Sequence, residues 1–117
     1  MTNAAYSFAT RFENGAGTNP EELLGAAHAA CFSMAISHAL SMAGHPPTSV
    51  ATTAIVHLTK VGAGFAISGI DLVTRGVVPG VAAPEFLRLA EDTKVNCILS
   101  KALGAVPMRL DAQLLPA

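Results

Sequence analysis

Apolar and polar positions alternate with the period of a strand in several stretches of this chain, and one long stretch is apolar all round. Residues 49–60 (Val-Ala-Thr-Thr-Ala-Ile-Val-His-Leu-Thr-Lys from position 50) are rich in β-branched side chains and alternate, which predicts a strand. Val61-Gly62-Ala63-Gly64 predicts a tight turn, and residues 65–75 predict the return strand of a hairpin. Residues 4–12 alternate more weakly and predict a strand or extended arm, followed by a Gly-rich turn at 13–18. Before the hairpin, residues 20–43 are almost continuously apolar. Thr18 or Asn19 can cap a helix there, Pro20 suits its first position, and Glu21 and Glu22 suit its first turn. Gly44 and the pair Pro46-Pro47 would stop it. After Pro79, Gly80 and Pro84, a helix over 84–95 would turn Phe86, Leu87, Leu89, Ala90 and Thr93 inward. A short helical piece within 96–105 and a strand over 107–115 complete the chain. The sum is a single α+β domain spanning 1–117, an antiparallel sheet packed on a long central apolar helix.

Composition sharpens this. The chain has 117 residues, 51% hydrophobic and 13% charged, where a soluble domain carries about 25% charged. No Asp, Glu, Lys or Arg occurs between Leu23 and Thr59. At 11.9 kDa, a compact fold exposes about 5,950 Å² and the unfolded chain about 17,300 Å², enough burial for one core. With 7 basic and 8 acidic residues to cover that exterior, apolar surface is left over, and a two-fold homodimer is expected. A net charge of −1, no Trp and one Tyr give no basic footprint, which argues against a nucleic-acid partner.

The apolar run has the length of a membrane span. It also holds His28, His38, Ser33, Ser37 and Ser41 with seven Ala or Gly positions, and no Lys or Arg flanks it. A helix buried under a sheet or between subunits fits better, so no membrane association is expected. The N-terminus lacks the basic-then-apolar order of a secretion signal, which suggests a cytoplasmic protein.

Two cysteines are too few for a disulfide scaffold, and in a cytosolic chain they have either a chemical role or none. Cys31 falls midway along the long helix, with Leu24, Ala27, His28, Met34, Ala35 and His38 on its face by helical spacing. It could be an inert core residue, a nucleophile paired with His28, or part of a metal site. A metal is disfavoured because Cys31, His28 and His38 spread over about 15 Å of helix axis. A hydrolase built on Cys31 and His28 lacks a recognisable oxyanion motif. Cys97 could be structural or could pair reversibly with a distant thiol.

Thr-Arg-Phe-Glu at 10–13, the block Asn-Pro-Glu-Glu-Leu-Leu-Gly-Ala-Ala-His-Ala-Ala-Cys-Phe-Ser-Met within 17–35, Lys-Val-Gly-Ala-Gly-Phe-Ala-Ile at 60–67, and Cys97 followed by Leu99-Ser100-Lys101-Ala102-Leu103 closely resemble the osmotically inducible protein C family, relatives of the organic hydroperoxide resistance proteins. The Ala-Ala-His-Ala-Ala-Cys-Phe-Ser wording favours the osmotically inducible branch. The resemblance covers essentially the whole chain. It implies a thiol-dependent peroxidase acting on organic hydroperoxides, with hydrogen peroxide as a further substrate, built as an intertwined homodimer with sites at the subunit interface. By position, Cys31 falls on the family's reactive cysteine, Cys97 on its resolving cysteine, Arg11 on the arginine that holds the thiolate, and Glu21 on the carboxylate that orients this arginine. It also implies an external dithiol reductant, a lipoylated protein being one candidate. No cofactor is called for, because sulfur carries the redox change.

Those roles make physical sense. A free thiol is only a few per cent thiolate at pH 7. Mid-helix, Cys31 gains little from the helix dipole, so an imported guanidinium such as Arg11, its plane fixed by a bidentate Glu21, would hold the anion. On one straight helix, Glu21 and Cys31 lie about 15 Å apart. Either Glu21 sits in a non-helical lead-in that folds back, or the partner subunit supplies Arg11 and Glu21. Phe32, Met34 and Leu99 are candidate lining for an apolar peroxide pocket. Two departures stand out. The N-terminal hairpin usual in relatives is shortened or absent, and Ile98 follows Cys97 where relatives commonly carry Pro. The competing expectation is a non-catalytic dimer that binds a hydrophobic ligand.

Overall fold

The computed structural model describes residues 18–116. Among these residues, three helices and three strands follow in the order α1 (Pro20–Met42), β1 (Ser49–Val61), β2 (Gly64–Val77), α2 (Ala83–Asn96), α3 (Ile98–Ala102) and β3 (Met108–Leu114). The arm expected over 4–12, and with it Arg11, lies outside the described residues.

Helix α1 begins where its capping chemistry says it should. Asn19 is extended and its side-chain oxygen accepts from the Glu22 N–H at 2.8 Å, while Pro20 needs no donor partner. The helix closes in a Schellman turn: Gly44, with φ +87°, donates to the Ser41 carbonyl and His45 donates to that of Leu40. Its buried face is Gly25, His28, Ala29, Phe32, Ile36 and Leu40. By length and composition α1 could cross a membrane, but in this structure that face lies on the sheet and completes the core. Phe32, Ile36 and Leu40 pack with Ile70, Leu72, Val78, Val81, Phe86 and Ala90. Each fully buried large apolar side chain contributes about 1.5–3 kcal/mol.

The hairpin β1–β2 is antiparallel, closed by a two-residue loop in which Gly62 takes φ +60°. A bulge between His57 and Leu58 re-registers its outer half. Strand β3 joins the other edge of β2 and runs parallel to it. The expected α+β class with a helix-backed sheet stands, but among the described strands β1 and β2 pair antiparallel while β3 pairs in parallel. The reason is connectivity: α2 and α3 intervene between β2 and β3 and form the crossover a parallel neighbour requires.

Two glycines let the layers approach. A Cβ at Gly25 would lie 3.0 Å from the Ala54 carbonyl oxygen of β1, and one at Gly76 would lie 2.7 Å from the Phe86 ring of α2. A row of hydroxyls also ties α1 to the sheet, with Ser33 bonded to Thr52 at 2.6 Å and Thr52 to the fully buried Thr74 at 2.9 Å. On the opposite face, Asp71 of β2 accepts from Arg109 of β3 and from His57 of β1, each at 2.8 Å. The Arg109 and His57 bonds hold the Asp71 carboxyl below the usual carboxylate range.

Candidate active site

Cys31 and Cys97, both free thiols, line the same cleft. It encloses about 530 Å³ between the middle of α1 and the junction of α2 with α3, and Ala27, Met34, Ile98 and Leu99 supply much of its wall. Cys31 is half-buried on α1, whereas Cys97 is buried. None of the cleft's described lining residues is charged, Asn96 being its polar member besides the thiols. An anion formed on Cys31 would therefore find no countercharge in that wall.

Two of the expected pocket residues, Met34 and Leu99, line this cleft. Phe32 does not; it is fully buried in the core on the sheet side of α1. The face assigned to Cys31 also divides. Ala27, Met34 and Ala35 share the cleft, His28 turns inward to full burial, and His38 is exposed.

Glu21 is helical, in the first turn of α1. It lines a different cavity, of about 260 Å³, with Asn19, Glu22, Ala54, Val56 and Leu58. Ten residues of helix separate it from Cys31, about 15 Å along the axis. A non-helical lead-in carrying Glu21 back to Cys31 is thus ruled out, and within one chain the two are not brought together.

Cys97 is set by backbone geometry and by side chains. It ends α2 and caps α3, with φ −63° and ψ 151°. That extended backbone is what a following proline would impose, and the chain adopts it with Ile98 in that place. The sulfur accepts from the Ser100 N–H at 3.4 Å and lies 3.1 Å from the Ser100 hydroxyl. That hydroxyl is also 2.8 Å from Nε2 of His28. Burial pushes the His28 pKa below its ordinary value, so the ring is neutral. The chain His28–Ser100–Cys97 was not expected from the sequence. The one local signal for it is Ser100 three residues after Cys97, the spacing at which a cap residue meets the helix backbone.

A two-layer α+β fold with paired thiols facing one apolar cleft defines the class. Residues 13–111 match the family described as OsmC-like protein, and the chain belongs to that family. It is 54% identical over 114 residues to a protein named Peroxiredoxin OsmC from Escherichia coli K12, spanning 97% of this chain and 79% of that one. Among solved structures, the organic hydroperoxide resistance protein OhrB of Bacillus subtilis superposes with a TM-score of 0.73 at 29% identity, covering 85% of this chain and 73% of that one. A putative organic hydroperoxide resistance protein from Vibrio cholerae, with captopril bound in one of its active sites, gives 0.79 at 27% identity over 93% and 75% of the two chains.

Proposed function

We propose that this chain is a cysteine-based peroxidase that reduces organic hydroperoxides, and hydrogen peroxide less readily, in the cleft shared by Cys31 and Cys97. The observation that carries the reading is the placement of two free thiols in one apolar cleft. The names of the relatives, a peroxiredoxin and organic hydroperoxide resistance proteins, support the same chemistry.

In the proposed cycle the Cys31 thiolate attacks the peroxide O–O bond, releases an alcohol or water, and becomes a sulfenic acid. The Cys97 thiol condenses with it to a disulfide and expels water. An external dithiol, for which a lipoylated protein is a candidate, returns both thiols. Sulfur exchanges the electrons throughout. The apolar wall of Ala27, Met34, Ile98 and Leu99 suits an alkyl or lipid hydroperoxide better than a small polar one. Arg11 and Glu21, contributed by a partner subunit, are assigned the tasks of stabilising the thiolate and fixing the guanidinium. The uncharged described wall of the cleft supports an imported charge of this kind.

The test is consumption of an alkyl hydroperoxide with a dithiol present, using Cys31→Ser as control. Turnover that vanishes in Cys31→Ser is expected. Absence of turnover in the wild type, with an apolar ligand still bound in the cleft, would favour a non-catalytic binding protein. Intact mass after one equivalent of peroxide reports on Cys97: a loss of two hydrogens is expected, and a lasting gain of one oxygen would remove it from the cycle.

A further inference from the structure

Cys97, Ser100 and His28 are joined by short contacts in a place almost closed to solvent. Cys97 is 3% exposed, Ser100 4% and His28 fully buried. Nε2 of His28 meets the Ser100 hydroxyl at 2.8 Å, and that hydroxyl meets Cys97 Sγ at 3.1 Å. The other ring nitrogen, Nδ1, is buried and has no hydrogen-bond partner among the described residues.

The unpartnered Nδ1 decides the direction of the chain. A neutral imidazole carries one N–H and one bare nitrogen. A buried N–H without an acceptor is rarer than an acceptor left bare. The proton therefore sits on Nε2 and is donated to Ser100 Oγ. With that lone pair occupied, the Ser100 hydroxyl turns its own hydrogen to the remaining neighbour, Cys97 Sγ. The sulfur then accepts two hydrogen bonds, from the Ser100 hydroxyl and from the Ser100 backbone N–H at 3.4 Å. Its own S–H is left to point into the cleft, which both cysteines line.

We infer that His28, acting through Ser100, holds the Cys97 sulfur as a hydrogen-bond acceptor and so prepares it to attack the oxidised Cys31. Ser100 touches the reacting sulfur; His28 is a positioning residue. The inference rests on the disulfide cycle proposed above. In the step concerned, the sulfur–sulfur bond forms and the S–O bond of the Cys31 sulfenic acid breaks. The Cys97 S–H proton goes to the departing hydroxide, giving one water. Negative charge that builds on Cys97 as its proton leaves is met by two donors already aimed at it. The same donors favour Cys97 as the sulfur released when a thiolate reductant attacks the disulfide, since a stabilised thiolate leaves faster. The reductant's mixed disulfide is then on Cys31.

Rapid mixing with one equivalent of an alkyl hydroperoxide, followed by quenching and intact-mass analysis, separates the gain of one oxygen from the later loss of two hydrogens. Ser100→Ala and His28→Leu are expected to acquire oxygen at the wild-type rate and to close the disulfide about ten- to a hundredfold more slowly, the effect of losing a hydrogen bond to a charged group. His28→Gln, whose amide can still donate to Ser100, is expected to restore most of the closure rate. Closure at the wild-type rate in Ser100→Ala or in His28→Leu overturns the inference, as does an equal slowing of both steps, which marks a merely structural role. A wild type that gains oxygen and never loses two hydrogens instead overturns the disulfide cycle itself.

Discussion

A histidine ring with no exposure, one nitrogen bonded to a serine hydroxyl and the other unpartnered among the described residues, is stable only while it stays neutral. Burial lowers the His28 pKa in the folded protein, while in the unfolded chain it returns to about 6.5. As pH falls through that value the unfolded state takes up a proton that the native state refuses, so acid favours unfolding. The stability His28 contributes is complete above about pH 6.5 and is lost as pH falls from there through the lower native value. Urea midpoints measured at pH 7.5 and 5.5 should drop more in the wild type than in His28→Gln, which does not titrate. An equal drop in both proteins would show that the ring is protonated without penalty.

At the scale of elements, close approach and capping carry the predictions. Gly76 of β2 leaves room for the fully buried Phe86 ring of α2, and a Cβ there would lie 2.7 Å from it. Gly76→Ala is expected to destabilise the protein by about 1–3 kcal/mol, visible as a lower urea midpoint; an unchanged midpoint would mean that α2 rides freely on the sheet. Ile98 is the first residue of α3, where a backbone N–H has no helical partner, and it is 73% exposed. Cys97 already holds the extended conformation a following proline needs. Ile98→Pro should therefore stabilise by about 0.4–1 kcal/mol through the unfolded state, and a loss of stability would show that the Ile98 N–H is needed. These elements were mostly legible in advance, because turns and caps are local. Asn19, Gly44 and Gly62 sit where the pattern placed them. The inward face of α1 was not legible. That helix is apolar or small nearly all round, so no polar stripe marks its outer side, and Phe32 went to the core while Met34 went to the cleft. Leu87, expected inward on α2, is 45% exposed, whereas Phe86, Ala90 and Thr93 are buried and Leu89 packs against the core. The bond from His28 to Ser100 joins residues 72 positions apart, beyond the reach of any local spacing.

At the scale of the whole molecule, the described lining of the cleft that holds both thiols carries no charge. The accessible surface is 6927 Å², against about 5,950 Å² for a compact monomer of this mass. Part of the excess lies at the cleft, where Met34 and Ile98 are exposed. An apolar rim around a reactive thiol suits a second copy of the chain, which would dry the cleft and bring in a charge that its described wall lacks. Glu21, the second residue of α1, cannot bend back to its own Cys31. In the shared site proposed above, each Cys31 would be served by the partner's Arg11 and Glu21. Cys31→Ser and Arg11→Ala homodimers should then both be nearly inactive, for different reasons. When the two variants are co-expressed, half of the randomly assorted dimers are mixed, and each mixed dimer combines the intact Cys31 of one subunit with the intact Arg11 of the other. Hydroperoxide turnover should recover to about a quarter of the wild-type value, one complete site in every second dimer. If Arg11 acts within its own chain, mixing restores nothing, because neither subunit of the mixed dimer carries both residues. Sedimentation of the mixture confirms that dimers have formed, so a failure to recover would count against the shared site and not against assembly.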